Sequence, residues 1–478
     1  MHSLRSLIFT VGRDTSFYGI ASVLNRSISL LILPLLARHF SIEEYGLFDL
    51  LYLSLTLLVT FFIFGQDSSI MRYFYDENDD DSRRALVTNS ISMILLVSIL
   101  FFLIIFLFKD FLTSLFQITN EDFNLILILM MIVPFGILYA ISETVLRITS
   151  NLKGYLALSL GLTLSILMSV FYATQILEAS LYLLFKMYFY VWLVFGLFGL
   201  FLIREWIKKP HTIFISKKMF LYGFPMGIVV MLEVGQPVFE RLIISNLIGL
   251  EGLGLYAIAT KIAMFMILPV GAFQMAFMPT VMKIYKDEDA IKLFNLSLNI
   301  YISILSALLL SITAFDDKLI YFLAGPSYMS AESIIFPLSM AIYLHAIAMI
   351  IGIGTILSQK TYLRLITLAI VQIISLSAII ILSQKYDIYG VAVGVCIGKI
   401  ILLFIYGYLG QKLYPLRWNY KMVIVVISTT FFIGAIISTL EIDTMNEMFF
   451  FIGSLISISL ISWSFLTADD KTALKIFN

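Results

Sequence analysis

One cysteine, Cys396, in 478 residues excludes an internal disulfide and a cysteine-built metal cluster. The four histidines are scattered without ligand spacing, so a histidine metal centre is not expected either. Charge is scarce as well. Only 13% of residues are charged, against about a quarter in soluble domains, too few to cover the two or three soluble domains this length would require. No phosphate-gripping G-x-x-x-x-G-K-[ST] occurs, which excludes ATP hydrolysis by that route. The alternating segments of a membrane β-barrel are missing. Arg5 and Arg13 interrupt the apolar start and no small-residue cleavage site follows, so a removed signal peptide is not expected.

What fills the chain is apolar. Hydrophobic residues make up 60%, and the mean hydropathy is +1.00. They fall in blocks of about 20, the length that carries a helix across ~30 Å of hydrocarbon. Fourteen spans are expected, and with them an all-α integral membrane protein. The first six cover 15–36, 45–65, 86–108, 124–142, 155–175 and 181–203. The next six cover 220–245, 251–277, 294–315, 333–357, 362–382 and 388–409, and the last two 421–440 and 447–466. The short breaks Gln175–Leu181 and Ser383–Ile388 are the easiest to miscount. The loops are too short to hold a catalytic module, so the chain is not expected to be an enzyme.

Lysine and arginine set the orientation. With both termini inside, the cytoplasmic segments hold 22 of the 31 basic residues, and the outer loops hold only Arg38, Lys109, Lys318 and Lys385. The basic stretch 204–219 divides the chain into an N-lobe (1–203) and a C-lobe (220–410), and 411–478 adds two helices and a tail. At an offset of 208 residues Glu43 pairs with Glu251, Gly46 with Gly254, Leu47 with Leu255 and Gln66 with Gln274. Tyr18-Gly19 and Tyr222-Gly223 correspond slightly out of register. Two six-helix halves with the same inward start form a parallel repeat.

Five cations remain, all inside spans: Arg26, Lys186, Arg241, Lys261 and Lys399. A charge at mid-bilayer costs ~3 kcal/mol and should face a cavity or a partner. Arg26, Lys261 and Lys399 sit about ten residues from either end of their spans, whereas Lys186 and Arg241 lie about five from the outer end and are near enough to snorkel. Polar stripes accompany them. Tyr18, Ser22, Asn25, Arg26 and Ser29 share one face of the first helix; Asp49, Tyr52, Thr56 and Thr60 one face of the second; Glu233, Gln236 and Glu240 one face of the seventh. Interhelical hydrogen bonding would account for the hydroxyls. It does not account for Arg26, Asp49 and Glu233, which favour a water-filled central cavity. Asp49, Glu233 and Glu240 can balance some of the cations or hold a coupling ion, and the surplus of positive charge suits an anionic, phosphate-bearing ligand.

Prolines and glycines gather in helices 7 and 8 (Gly223, Pro225, Gly227, Gly235, Pro237, Pro269, Gly271, Pro279), as bending points or as static kinks. Gly390, Gly394 and Gly398 form a small-residue ridge suited to close packing. Asp79-Asp80-Asp81 imitates a glycosyltransferase metal motif, but beside Arg83 and Arg84 it reads as a solvated charge run.

Leu35-Leu36-Ala37-Arg38-His39-Phe40-Ser41-Ile42-Glu43-Glu44-Tyr45-Gly46-Leu47-Phe48 resembles the first hairpin of the polysaccharide flippases, as does Gln66-Asp67-Ser68-Ser69-Ile70-Met71-Arg72-Tyr73-Phe74. Tyr222-Gly223-Phe224-Pro225 resembles the family's opening of helix 7. Glu240-Arg241, then Gly249, Gly254-Leu255-Tyr256 and Lys261, matches its next pattern, with Glu where Asp is commoner. This O-antigen type family shares a superfamily with the lipid II flippases and the multidrug extrusion transporters. The resemblance implies two lobes around a cationic cavity, and transfer of an undecaprenyl-diphosphate-linked oligosaccharide across the bacterial inner membrane by alternating access. It implies a substrate site among Arg26, Lys261, Lys399, Arg241, Lys186, Asn25, Tyr18 and Gln236. Membrane lipids, a polysaccharide polymerase and chain-length proteins are the implied partners. No cofactor, metal or nucleic acid is expected, and Na⁺ or H⁺ coupling stays open. The competing readings are a cation-coupled drug exporter and an O-antigen polymerase or ligase. Arg26, where drug exporters carry an acid, speaks against the first. The nearly charge-free outer loops speak against the second.

Overall fold

The computed structural model describes residues 4–77, 79–109, 120–208, 217–286, 290–358, 360, 362–439 and 444–465. Nearly all of these are helical, and among them there is no strand. Among the described residues, ten helical stretches are long and apolar enough to cross a membrane. The chain is a multi-pass membrane protein.

Two compact units divide it, Met1–Phe239 and Glu240–Asn478. The first unit is built from α1 (Leu4–His39), α2 (Ile42–Ile63), α3 (Gln66–Tyr73), α4 (Asp80–Leu107), α5 (Asn120–Ile148), α6 (Leu152–Gln175) and α7 (Leu181–Leu202). It also takes the larger part of α8 (Lys217–Leu247). Within it α5 packs along α7, α1 along α6 and α2 against α5. The second unit continues with α9 (Leu250–Ala263), α10 (Ile267–Ile284), α11 (Ala290–Ala314), α12 (Asp316–Leu323), α13 (Glu332–Ile351) and α14 (Gly354–Leu357). It ends with α15 (Tyr362–Leu413), α16 (Tyr420–Ile437) and α17 (Thr444–Ser464). Its centre is α13, buried over most of its length and packed against α9, α11 and α15. The units therefore part inside α8, at Phe239/Glu240, while the charge pattern marks 204–219; residues 209–216 of that stretch lie outside the described part.

Local chemistry explains the helix ends. Ser41 and Glu44 form a capping box: Glu44 N–H donates to Ser41 Oγ at 3.1 Å, and Ser41 N–H donates to Glu44 Oε2 at 3.0 Å. Phe64 (φ 42°) and Gly65 (φ 74°) then turn the chain through the left-handed region into α3, a short helix that the hydropathy reading takes for loop. Asp79 caps α4 by accepting from Ser82 N–H at 2.8 Å. The remaining acids of that run pair with Arg83, Arg84 and Lys208, so the charge-run reading holds.

The eleventh and twelfth expected spans form one long element, α15, broken only at Tyr386 and Asp387 (φ 47°). The glycine ridge makes this hairpin. A methyl group at Gly390 would overlap the Leu382 carbonyl, one at Gly394 would lie 2.8 Å from Ile379 N, and one at Gly398 2.6 Å from Ser375 Cβ. The ridge therefore packs closely, as its spacing predicts, on backbone at Gly390 and Gly394 and on the Ser375 side chain at Gly398.

Candidate functional site

In the first unit, Asn25 and Arg26 lie side by side on α1. Asn25 is half-buried and its Nδ2 donates to Ser159 Oγ on α6, while Arg26 is exposed. Ser159 is buried on α6, one turn past Tyr155. The Tyr139 ring meets Trp192 of α7 edge-on at 5.5 Å. Sequence reasoning names Asn25 but not Ser159, Tyr139, Tyr155 or Trp192. Hydroxyls and aromatics are ordinary on membrane helices, and only tertiary packing distinguishes these. The side chain of Tyr18 lies outside the described part.

Asp49 on α2 is 1% exposed. Its neighbour Phe48 stacks on Tyr52 at 5.9 Å and meets Tyr188 edge-on at 6.2 Å. Lys186 on α7 is exposed, and so is Glu233 on α8, with Gln236 half-buried one turn on. Three hydroxyls of the stripes bond along their own helices. Ser29 donates to Asn25 O (2.8 Å), Thr56 to Tyr52 O (3.1 Å) and Thr60 to Thr56 O (2.8 Å), each within its own helix. A hydroxyl one turn below a carbonyl finds that acceptor before any neighbouring helix can offer another.

The glycines expected to bend helix 7 have a second use. Gly223 and Gly227 form a seat for the turn between α2 and α3, so tight that a Cβ on Gly65 would overlap the Gly223 carbonyl and lie 2.8 Å from Gly227 N. Ser69 Oγ donates to Met219 O at 2.8 Å, the Tyr73 and Tyr222 rings meet at 5.7 Å, and Lys218 Nζ lies 4.4 Å from the Tyr73 ring centre.

In the second unit the sequence-predicted residues separate into two environments. Arg241 is 2% exposed and Glu240 5%. Arg241 Nη1 is 3.6 Å from Glu240 Oε2, its guanidinium lies 5.1 Å from the Tyr256 ring centre, and Tyr256 OH donates to Glu240 Oε2 at 2.9 Å. Arg241 does not snorkel. The carboxylate beside it in sequence and the tyrosine on α9 hold it inside. Lys261, near the end of α9, and Lys399, on the second half of α15, are half-buried. Among the described residues no group of His, Cys, Asp or Glu could hold a metal ion.

Residues 11–285, more than half of the chain, match the family model described as polysaccharide biosynthesis protein. No curated protein matches the chain. Among solved structures it is similar to the lipid II flippase MurJ in an inward closed conformation, with 17% identity over 93% of this chain and 98% of that one, at a TM-score of 0.73. It is also similar to an inward-facing multidrug resistance MATE family transporter of the MOP superfamily, with 14% identity over 82% of this chain and 95% of that one, at a TM-score of 0.63. The chain thus has the fold these transporters share, and it belongs to the polysaccharide biosynthesis protein family.

Proposed function

We propose that this protein is a flippase that moves an undecaprenyl-diphosphate-linked oligosaccharide across the bacterial cytoplasmic membrane by alternating access, for a surface polysaccharide of the O-antigen type. It crosses the membrane fourteen times in a six, six and two arrangement with both termini in the cytoplasm. A polysaccharide polymerase and chain-length proteins take up its product. No bond is made or broken in this cycle.

The observation that carries the reading is the contrast among the intramembrane cations. Arg241 is sealed beside a carboxylate, whereas Arg26 is exposed and Lys261 and Lys399 are only half-buried. Accessible cations inside membrane spans suit a diphosphate, which Arg grips in bidentate fashion and Lys as a point charge. Membership of a polysaccharide biosynthesis family supports a glycan as cargo. The acids Asp49 and Glu233 are the places for a coupling Na⁺ or H⁺, and Glu233, being exposed, is the more available of the two. The MATE-like fold favours one further reading, a cation-coupled exporter of small molecules.

Glycan export in cells complemented at matched membrane abundance tests the proposal. The Arg26→Ala/Lys261→Ala double variant should insert normally, fail to export glycan and leave lipid-linked precursor in the inner leaflet. Arg26→Lys and Lys261→Arg should each recover part of the activity. Normal export by the double variant would remove the diphosphate site. Intact glycan export alongside a lost drug-efflux phenotype would favour the exporter.

A further inference from the structure

A cleft of about 850 Å³ opens in the second unit between the second half of α15 and α16, with α13 as its floor. Its size falls within the ~300–1,000 Å³ of small-ligand sites. The floor residues Met340, Leu344 and Ile351 are buried, while Phe404 and Ile424 on the two walls are exposed. Both ends are tied. At one, Tyr420 OH donates to Gly407 O at 3.1 Å. At the other, Phe336 packs on Gly434 and lies 6.0 Å from the Phe431 ring. From Lys412 to Cys396 the α15 wall is about 24 Å long at 1.5 Å per residue, longer than the ~15 Å of one leaflet's hydrocarbon.

The cleft is apolar except at one end, where Tyr408, Gln411 and Lys412 line it. Lys412 is exposed, and its Nζ lies 3.4 Å from Tyr408 OH. Gln411 Oε1 is buried and has no hydrogen-bond partner among the described residues. The segment 410–421 carries Lys412, Arg417 and Lys421 and no acid, so this end is uniformly positive.

We infer that the cleft holds one anionic bilayer phospholipid, its acyl chains along α15 and α16 and its phosphate at Lys412. Lipid tails are as apolar as leucine, so a chain gains only packing by leaving the bilayer for the cleft. Selectivity must therefore come from the headgroup, and basic pockets between membrane helices select anionic lipids. The inference stands apart from the transported substrate.

The test reconstitutes the full chain into vesicles of equal parts phosphatidylglycerol and phosphatidylcholine, then reads retained lipid by native mass spectrometry after detergent extraction. One phosphatidylglycerol should stay bound, with a preference of roughly fivefold, the weight of one lysine at an anionic lipid surface. Lys412→Glu, a change at an exposed side chain, should abolish the preference, and Lys412→Arg should keep it. Ile427→Trp, which fills the cleft from α16, should lose both lipids while its melting temperature stays unchanged. No preference in the wild-type protein, or full preference in Lys412→Glu, would overturn the inference. So would displacement of the phosphatidylglycerol by added undecaprenyl phosphate, which would give the cleft to a polyprenyl tail.

Discussion

Replacing Arg241 by methionine separates the two roles that a cation inside a membrane helix can have. Arg241 is 2% exposed and shares its environment with Glu240 Oε2 at 3.6 Å and the Tyr256 ring at 5.1 Å. Removing one member of such a pair takes a charge partner from a buried group, at a cost of up to ~3–5 kcal/mol. Methionine restores much of the packing of the arginine stem, and Tyr256 OH still donates to the carboxylate at 2.9 Å, so the loss should fall at the lower end. Replacing both ions by neutral groups removes the imbalance. The Glu240→Gln/Arg241→Met double variant should then be more stable than Arg241→Met alone. Thermal unfolding of the purified proteins in one detergent measures these differences, and glycan export at matched abundance shows whether transport follows abundance alone. Wild-type melting of Arg241→Met together with abolished export would refute the structural assignment and return Arg241 to the substrate site.

Two further perturbations address backbone and pH. Gly65→Ala should destabilise the first unit by ~1–2 kcal/mol for its left-handed φ plus ~1–3 kcal/mol for overpacking against Gly223 and Gly227; Gly223→Ala, which meets Ser69 Oγ at 2.7 Å, should cost the second amount alone, and equal melting of both variants and wild type would contradict the close approach. Burial, reinforced by the Glu332 charge, pushes the carboxyl of Asp316, just past the end of α11, up to about 8. The folded protein therefore keeps a proton there that the unfolded chain releases near pH ~4. Stability should fall as pH rises from about 4 to about 8 and level off above it, and Asp316→Asn should flatten that slope in melting curves. An unchanged slope would place the titration elsewhere.

Hydropathy makes the spans legible because crossing a membrane constrains length and composition together. The second expected span, 45–65, lies over α2 (Ile42–Ile63), and the doubtful break Gln175–Leu181 is the true gap between α6 and α7. Short helices escape it. Neither α3 nor α12 is long or apolar enough to register beside 20-residue spans. Charge depth is legible, but charge environment is not. Arg26 and Arg241 both read as cations within a span, yet one is exposed and the other sealed, because the face a side chain takes depends on neighbours far away in sequence. The motif residues that resemble the polysaccharide flippases prove to be fold determinants. Ser41 and Glu44 cap α2, Gly223 seats the turn before Gln66, and Gly249 (φ 108°) turns the chain into α9.

The glycine-packed hairpin α15 also bears on how the protein enters the bilayer. Its two arms meet closely at the three glycines, and only Tyr386 and Asp387 depart from helical geometry between them. Such a pair can leave the translocon as one preformed wedge instead of two helices that must find each other afterwards. The tip of the wedge carries Lys385 and Asp387, charges of opposite sign two residues apart, with the Lys385 ammonium 5.2 Å from the Tyr386 ring centre. A tip with no net charge does no work against the membrane potential, which exacts about 2.3 kcal/mol per elementary charge per 100 mV. In energised cells the hairpin's dependence on that potential should therefore come from Lys399 on its second arm and not from its tip.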